Sequence, residues 1–209
     1  MAKHTGKVFC VGRNKTGTTS IEQALGSLGY RFSVQNQGER LLDDWIRRDF
    51  RRIVELARGA DAGQDIPYSL PWTYQALDEA FPGSKFILTL RDSPEQWYES
   101  LVRFHSQLMK TGDRRPGAAD LKKLNYLSPG WLYRAQCAVY GVDDEHLYDP
   151  DIYMRHYAVH AYNVTEYFRF RPGQLLVLNL SDPEAMQQLC GFLGIDFGGQ
   201  GMPHLNRSL

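Results

Sequence analysis

The segment Val8–Ser20 reads VFCVGRNKTGTTS, and it determines which fold the chain adopts. Its apolar start, Val8–Val11, predicts a buried strand that runs directly into a glycine-rich turn. The residues that follow, Ser20–Leu28, are compatible with a helix. Such a junction leaves backbone N–H groups unpaired where the helix dipole adds partial positive charge. The segment therefore predicts a binding site for an anionic phosphate.

The loop departs from the common nucleotide-binding pattern at one position. Gly12 and Gly17 have the spacing of the Walker sequence GxxxxGK[ST], but Thr18 occupies the place of the lysine. The lysine of this loop, Lys15, comes two residues before the second glycine. An ordinary turn rich in Gly and Thr that binds no ligand has the same composition, so both interpretations stay open for the loop alone.

The segment Lys15–Thr19, KTGTT, resembles the donor loop of PAPS-dependent sulfotransferases, whose pattern is K-[ST]-G-T-T. PAPS is 3′-phosphoadenosine 5′-phosphosulfate, the activated sulfate donor. The resemblance implies that Lys15 contacts the bridging oxygen of the phosphosulfate. It also implies that the amides and hydroxyls of Gly17–Ser20 hold the 5′-phosphate.

A second strand end follows later in the chain. The apolar run Phe86–Leu90 predicts a buried strand, and Arg91 comes directly after it. In open α/β sheets, ligands bind outside the carboxyl ends of the strands. The next residues, Ser93–Glu95, have a capping serine, a proline and an acid, which is typical of a helix start.

By resemblance to the same family, Arg91 and Ser100 would bind the 3′-phosphate of PAPS. The family's serine usually follows its arginine by eight residues, whereas here the separation is nine. The extra residue lies before Pro94, and counted from that proline Ser100 keeps the usual spacing. The alternatives are a surface arginine paired with an acid and a solvated helix serine.

A third match is the segment Ala62–Tyr68, AGQDIPY, which predicts a short strand ending at an acid. In some branches of the family an acid at this point is the catalytic base, and Asp65 would then accept the acceptor's proton. Burial would raise the pKa of Asp65 and a nearby Lys15 or Arg91 would lower it. A turn-capping role for Asp65 is the alternative. His105 is then the next candidate for the base.

The composition limits the classes of function. The chain has 209 residues, 24 basic and 24 acidic side chains and no formal net charge, which argues against a broad nucleic-acid surface. The cysteines lack CxxC spacing and the histidines lack an HExxH pattern, so no metal site is predicted. No run approaches the ~20 apolar residues of a membrane span, and we expect a soluble cytoplasmic protein. The oligomeric state is open.

The order of predicted elements indicates an α/β fold. Strands alternate with helices, which predicts a central parallel sheet with helices on both faces. The family resemblance implies that this is a three-layer P-loop-type domain. We expect one domain over residues 1–209, with a helix at about 39–58 and a strand at about 62–66. A helical, aromatic-rich insertion at about 111–170 precedes the last strand. Its aromatics either shape an acceptor pocket or pack on the sheet.

The chain end adds a weaker match. The segment Gly173–Leu180 predicts the last strand, a helix follows, and Pro203–Asn206 then reads PHLN. This arrangement resembles the tail of bacterial and related small sulfotransferases. The tail would either return to the cosubstrate or only cover the sheet.

The resemblance implies in-line transfer of a sulfuryl group from PAPS to a hydroxyl or amine of a small-molecule acceptor, without a metal. Lys15 and Asp65 would be catalytic. Cosubstrate contacts are expected from Arg13, Lys15, Thr16, Gly17, Thr18, Thr19, Ser20, Arg91 and Ser100. One alternative is a nucleotide or small-molecule kinase with a degenerate P-loop, which needs Mg²⁺ and a lysine after Gly17. The other is a catalytically inactive nucleotide-binding domain.

Overall fold

The structure, a computed structural model, describes residues 6–203. These residues form two compact units. The first comprises residues 6–92 and 160–203, and the second comprises residues 93–159. The second unit begins before the expected insertion start near 111, because the helix that follows Arg91 already belongs to it.

The first unit contains a parallel four-stranded sheet. Its strands are β1 (Val8–Cys10), β2 (Ala62–Gly63), β3 (Lys85–Leu90) and β4 (Leu175–Asn179). Their order across the sheet is β2-β1-β3-β4, and all neighbouring strands are parallel. In register, Phe9 lies between Gly63 and Phe86. The predicted α/β class with a parallel sheet is confirmed.

Ten helices occur within residues 6–203. They are α1 (Thr18–Ser27), α2 (Gln35–Glu39), α3 (Leu42–Ile46), α4 (Arg51–Arg58), α5 (Thr73–Ala80), α6 (Pro94–Met109), α7 (Ala118–Lys123), α8 (Trp131–Tyr140), α9 (Pro150–Phe168) and α10 (Ala185–Leu193). The second unit comprises α6, α7, α8 and the part of α9 before His160.

Successive side chains of β1 pack on opposite faces of the sheet. Val8 and Cys10 pack with α1 and α10 in one apolar cluster, which includes Leu25. Phe9 and Val11 pack in the other cluster with α4, α5 and the last part of α9. Successive strand residues point to opposite faces, so one strand serves both cores. The sheet is the middle layer of the three that the sequence predicts.

The predicted helix at 39–58 is wrong, because the chain there forms separate short helices. Arg48 has a φ of 59°, in the left-handed region, and a helix cannot continue through that conformation. The Arg48 guanidinium lies 4.5 Å from the ring centre of Trp45 and 3.9 Å from that of Trp72. Asp49 then accepts a hydrogen bond from the Arg51 amide at 3.2 Å, at the start of α4.

The predicted strand at 62–66 is shorter than expected, since β2 ends at Gly63. Asp65 has a φ of 56°, which turns the chain out of the sheet. The Ser69 amide donates to the Asp65 carbonyl at 2.8 Å and closes the turn. The Tyr68 ring packs against Gly63, where a Cβ would lie only 2.6 Å from it. The acid therefore lies just beyond the carboxyl end of an edge strand.

The second unit begins as its sequence predicts. Ser93 caps α6, accepting a hydrogen bond from the Gln96 amide at 3.2 Å, and Pro94 occupies the first helical position. Stacked rings fill this unit, with Trp97 on Tyr157 at 4.7 Å between ring centres. These two aromatics are buried and contribute to packing.

Within residues 6–203, no helix is long and apolar enough to cross a membrane. Met202 is buried in the cluster that includes Leu25. The PHLN tail, from His204 onward, lies outside the described residues.

Candidate functional site

The loop between β1 and α1 presents a helix N-terminus without a side-chain cap. Gly17 is the residue before the helix, with a φ of 94° that favours glycine, and glycine has no side chain that could cap the first turn. The Ser20 amide donates to the Gly17 carbonyl at 2.9 Å. The amides of Gly17, Thr18 and Thr19 precede the first intrahelical hydrogen bond, so they can serve an anion.

Gly12 brings the loop into contact with β3. A Cβ at this position would lie 2.6 Å from the backbone oxygen and 2.7 Å from the backbone nitrogen of Thr89. Backbone atoms in the middle of a sheet cannot move aside for a methyl group. Glycine is therefore required where β1 passes into the loop.

A directional chain of hydrogen bonds lies beneath the loop. The Thr16 hydroxyl donates to the Arg13 carbonyl at 2.5 Å, because a carbonyl can only accept. The Thr89 hydroxyl, 2.6 Å away, must then donate to Thr16. The Cys10 thiol is 3.8 Å from the Thr89 oxygen, and burial raises its pKa to about 12, which keeps it protonated as a donor. These bonds fix the loop backbone from below.

The hydroxyl groups predicted to bind phosphate differ in exposure. Thr16, Thr18 and Ser20 are buried, and the Thr16 hydroxyl is used inside the loop. Thr19 is the exposed one of the loop's threonines. That hydroxyl groups of this segment bind the phosphate stays a prediction. Among the threonines, Thr19 is best placed to do so because it is exposed.

Arg91 and Lys15 meet in the structure. The Arg91 Nε atom donates to the Lys15 carbonyl at 2.8 Å, which joins the end of β3 to the loop. Lys15 has a φ of 67°, an uncommon conformation for a residue with a side chain. Desolvation by burial lowers the pKa of Lys15, the neighbouring charge of Arg91 lowers it further, and Asp65 opposes both.

Asp65 lies in the same charge environment. Its Oδ1 accepts a hydrogen bond from the Ile66 amide at 2.8 Å. The residue keeps part of its surface exposed while protein atoms surround the carboxyl group, and this desolvation raises its pKa. The Ile66 amide and the charges of Arg13 and Lys15 lower the pKa, and Glu22 raises it.

Arg13 connects the loop to the Asp65 turn. Its side chain is only 5% exposed, and Nη1 donates to the Ser69 carbonyl at 3.1 Å. Its predicted cosubstrate contact stays a prediction. His160 supports the loop from α9, since its Nε2–H donates to the Val11 carbonyl at 2.8 Å. Burial lowers the pKa of His160 to about 3, so the ring is neutral.

The two predicted residues on α6 belong to the second unit. Ser100 is half-buried there. His105 is buried, and its Nδ1 is 2.8 Å from the Tyr148 hydroxyl. Their roles toward the cosubstrate and the proton stay predictions.

Sequence reasoning missed further polar residues of the first unit. Gln64 donates through Nε2 to Glu22 at 3.0 Å. Asn179, at the end of β4, donates through Nδ2 to Asp92 at 2.6 Å. Gln64 directly follows β2 and Asn179 is the last residue of β4, so attention to every strand end could have found them. Glu22 lies within a helix and had no sequence signal.

An open groove of about 610 Å³ lies along segments 32–41 and 52–60 of the first unit. Its lining includes no residue of the loop Gly12–Ser20, and neither Arg91 nor Asp65. The groove is therefore separate from the candidate phosphate site. Within the part of the chain that the structure describes, no group of three or more His, Cys, Asp or Glu residues could hold a metal.

The contact at Gly12 yields a test of the loop. We expect Gly12→Ala to destabilise the fold by about 1–3 kcal/mol, the usual cost of overpacking. Gly26→Ala is the matched control, because a Cβ on Gly26 meets nothing within 4 Å and alanine favours a helix. Urea unfolding measures both variants. Equal stability of the Gly12 variant and the parent would contradict the packing described.

The raised pKa of Asp65 makes a prediction about pH. A carboxyl whose folded pKa lies above its ordinary value of 3.8 contributes stability at low pH and loses it as the pH rises through the folded value. Asp65→Asn should therefore gain stability relative to the parent as the pH rises above the ordinary aspartate pKa. Thermal unfolding at a series of pH values measures this stability difference. Asp43→Asn on α3 is the control for the loss of one carboxylate. A stability difference that shrinks as the pH rises would contradict the assignment.

Comparison with known proteins agrees with this geometry. A family model described as a sulfotransferase domain matches residues 7–208, which is nearly the whole chain. A search of the curated proteins finds no match. The match agrees with the parallel α/β sheet and with the resemblance carried by the KTGTT loop. The chain belongs to the sulfotransferase family.

Proposed function

We propose that this transferase moves a sulfuryl group from PAPS to a hydroxyl or amine of a small-molecule acceptor. Family membership supports sulfuryl transfer in general. The observation that carries the choice of PAPS is the hydrogen bond from Arg91 Nε to the Lys15 carbonyl. It joins a loop suited to a 5′-phosphate with an arginine suited to a second phosphate.

The residues present fit such a donor. The amides of Gly17, Thr18 and Thr19 lie at a helix N-terminus whose cap residue, Gly17, has no side chain, which suits the 5′-phosphate. The guanidinium of Arg91 has the forked geometry that matches phosphate oxygens, which suits the 3′-phosphate. Lys15 supplies a further positive charge, close enough to Arg91 for the two charges to interact.

The transfer needs charge stabilisation on one side and proton removal on the other. The acceptor's oxygen or nitrogen forms a bond to sulfur, and the bond from sulfur to the bridging oxygen breaks. Lys15 stabilises the negative charge that grows on the bridging oxygen. Asp65 takes the proton that the acceptor loses.

Burial changes the pKa of Asp65 in the direction that a general base needs. An exposed aspartate is a weak base at neutral pH, and desolvation raises the pKa of Asp65 toward that range. Arg13 and Lys15 limit this rise in pKa, because their positive charges stabilise the ionised carboxylate. The hydrogen bond from the Ile66 amide fixes its orientation.

No observation favours a kinase. Thr18 stands where a kinase loop carries its lysine. A kinase also needs an acidic Mg²⁺ ligand at a strand end. Asp92 has such a position, but its carboxylate accepts a hydrogen bond from Asn179 at 2.6 Å. The family match also supports sulfuryl transfer over phosphoryl transfer.

The role of Arg91 predicts which nucleotide binds best. Adenosine 3′,5′-bisphosphate should bind at least about tenfold more tightly than 5′-AMP, a difference of ~1.4 kcal/mol. Arg91→Ala should remove most of that difference because the 3′-phosphate loses its charged partner, and Arg91→Lys should restore only part of it. Calorimetric titration measures each affinity.

Arg40→Ala, at an exposed arginine of the first unit, is the control and should keep the difference. Equal affinity of the parent chain for the two nucleotides would contradict the proposal. An equal loss for both nucleotides in Arg91→Ala would assign Arg91 to supporting the loop, and the melting temperature of each free variant checks that outcome.

The mechanism predicts different consequences on the two sides of the transfer. Lys15→Met should lower kcat by about 10²–10³, the usual effect of losing one donor to developing charge. Asp65→Asn should lower kcat by about 10²–10⁴ and remove the low-pH limb of the rate profile, while nucleotide affinity changes little. Rates measured with phenols of graded acidity test this, because an acidic phenol needs the base least.

Asp43→Asn, on the exposed side of α3, is the control for the carboxylate change. Full activity of Asp65→Asn with a weakly acidic phenol would contradict the role of Asp65 as the base. Unchanged kcat in Lys15→Met would contradict the role of Lys15.

A further inference from the structure

We infer that Glu22 binds a protonated amine of the acceptor, beside the hydroxyl that Asp65 deprotonates. The acceptor class is then a hydroxyl compound that also carries an ammonium group. This inference deepens the proposed function and rests on it for the identity of the ligand as an acceptor.

Four polar side chains form the cluster around Glu22. Gln64 donates through Nε2 to Glu22 Oε2 at 3.0 Å and to Gln35 Oε1 at 3.3 Å. Gln35 in turn donates through Nε2 to Glu39 Oε1 at 3.4 Å. The cluster therefore comprises Glu22 from α1, Gln35 and Glu39 from α2, and Gln64 from the end of β2.

The orientation of Gln64 is determined by its two acceptors. Reversing its amide would turn the oxygen toward the Glu22 carboxylate, where two acceptors repel. In the orientation observed, Gln64 is 8% exposed, and its Oε1 is enclosed without a hydrogen-bond partner among the described residues. Enclosing a carbonyl oxygen without a hydrogen-bond partner destabilises a folded protein. The Gln64 carbonyl oxygen is therefore an acceptor that a donor from a bound molecule can use.

The cluster offers acceptors to a ligand. Both N–H groups of Gln64 are used, and the amide of Gln35 donates to Glu39. The Gln64 carbonyl oxygen has no hydrogen-bond partner among the described residues, and the Glu22 carboxylate can accept more than the one hydrogen bond that Gln64 donates to it. Two of the four side chains are acids and none is a base, so the complementary group is a cationic donor.

The cluster lies beside Asp65, the proposed base of the transfer. Gln64 directly precedes Asp65, and the charge of Glu22 acts on the Asp65 carboxyl group. Glu22 keeps part of its surface exposed, so a ligand reaches the cluster there. An amine held at Glu22 leaves the rest of the same molecule next to Asp65.

The test compares three phenols that differ only in the group at the end of a short side chain. Tyramine carries an ammonium, 4-ethylphenol is neutral, and 3-(4-hydroxyphenyl)propanoate carries a carboxylate. NMR titration of the full chain at about pH 7 should give an affinity for tyramine at least about tenfold above that for 4-ethylphenol. The carboxylate compound should bind most weakly.

Variants assign the preference to Glu22. Glu22→Gln keeps the size and an acceptor for Gln64, and it should lower tyramine affinity about tenfold with little effect on 4-ethylphenol. Gln64→Met, which removes the donor that holds Glu22, should lower tyramine affinity in part. Glu79→Gln, at an exposed glutamate of α5, is the matched control and should change neither affinity.

Each titration is performed without nucleotide and again with adenosine 3′,5′-bisphosphate. Equal affinities for tyramine and 4-ethylphenol, a tyramine preference that survives Glu22→Gln, or binding of none of the three compounds would overturn the inference. Failure of the bisphosphate to bind would contradict the proposed function instead. The comparison of the phenols without nucleotide then still decides the role of Glu22.

Discussion

The close approach of Gly12 to the backbone of Thr89 is the constraint on which the rest of the site depends. Because no side chain separates them, the loop after β1 rests directly on β3. The hydroxyls of Thr16 and Thr89 then bond across this contact at 2.6 Å. The same approach allows Arg91, one step past β3, to reach the Lys15 carbonyl. A packing requirement thus brings together Lys15 and Arg91, the two cations of the proposed donor site.

Burial shifts the pKa values of the charged groups in the site. Desolvation lowers the pKa of Lys15 and raises that of Asp65, while the attraction between the two charges opposes both shifts. The buried guanidinium of Arg13 adds positive charge beside Asp65 and holds its turn through the Ser69 carbonyl. The acid can therefore keep a raised proton affinity without becoming an uncompensated buried charge.

Sequence reasoning predicted the parts of the fold that depend on residue order. A strand, a glycine-rich loop and a helix start have local signatures, and so does the strand that ends before Arg91. It failed where Arg48 and Asp65 adopt left-handed conformations, because that choice depends on tertiary contacts and neither residue is glycine. The direction of the Thr16 hydroxyl and the contact between Glu22 and Gln64 likewise depend on neighbours distant in sequence.

Calorimetric titration with adenosine 3′,5′-bisphosphate, compared with ATP in the presence of Mg²⁺, tests the central claim that the loop and Arg91 together form a site for a 3′,5′-phosphorylated nucleotide. The account predicts tight binding of the bisphosphate that is unchanged by a metal chelator, and weak binding of ATP with or without Mg²⁺. Tight binding of ATP that requires Mg²⁺, with little affinity for the bisphosphate, would contradict it.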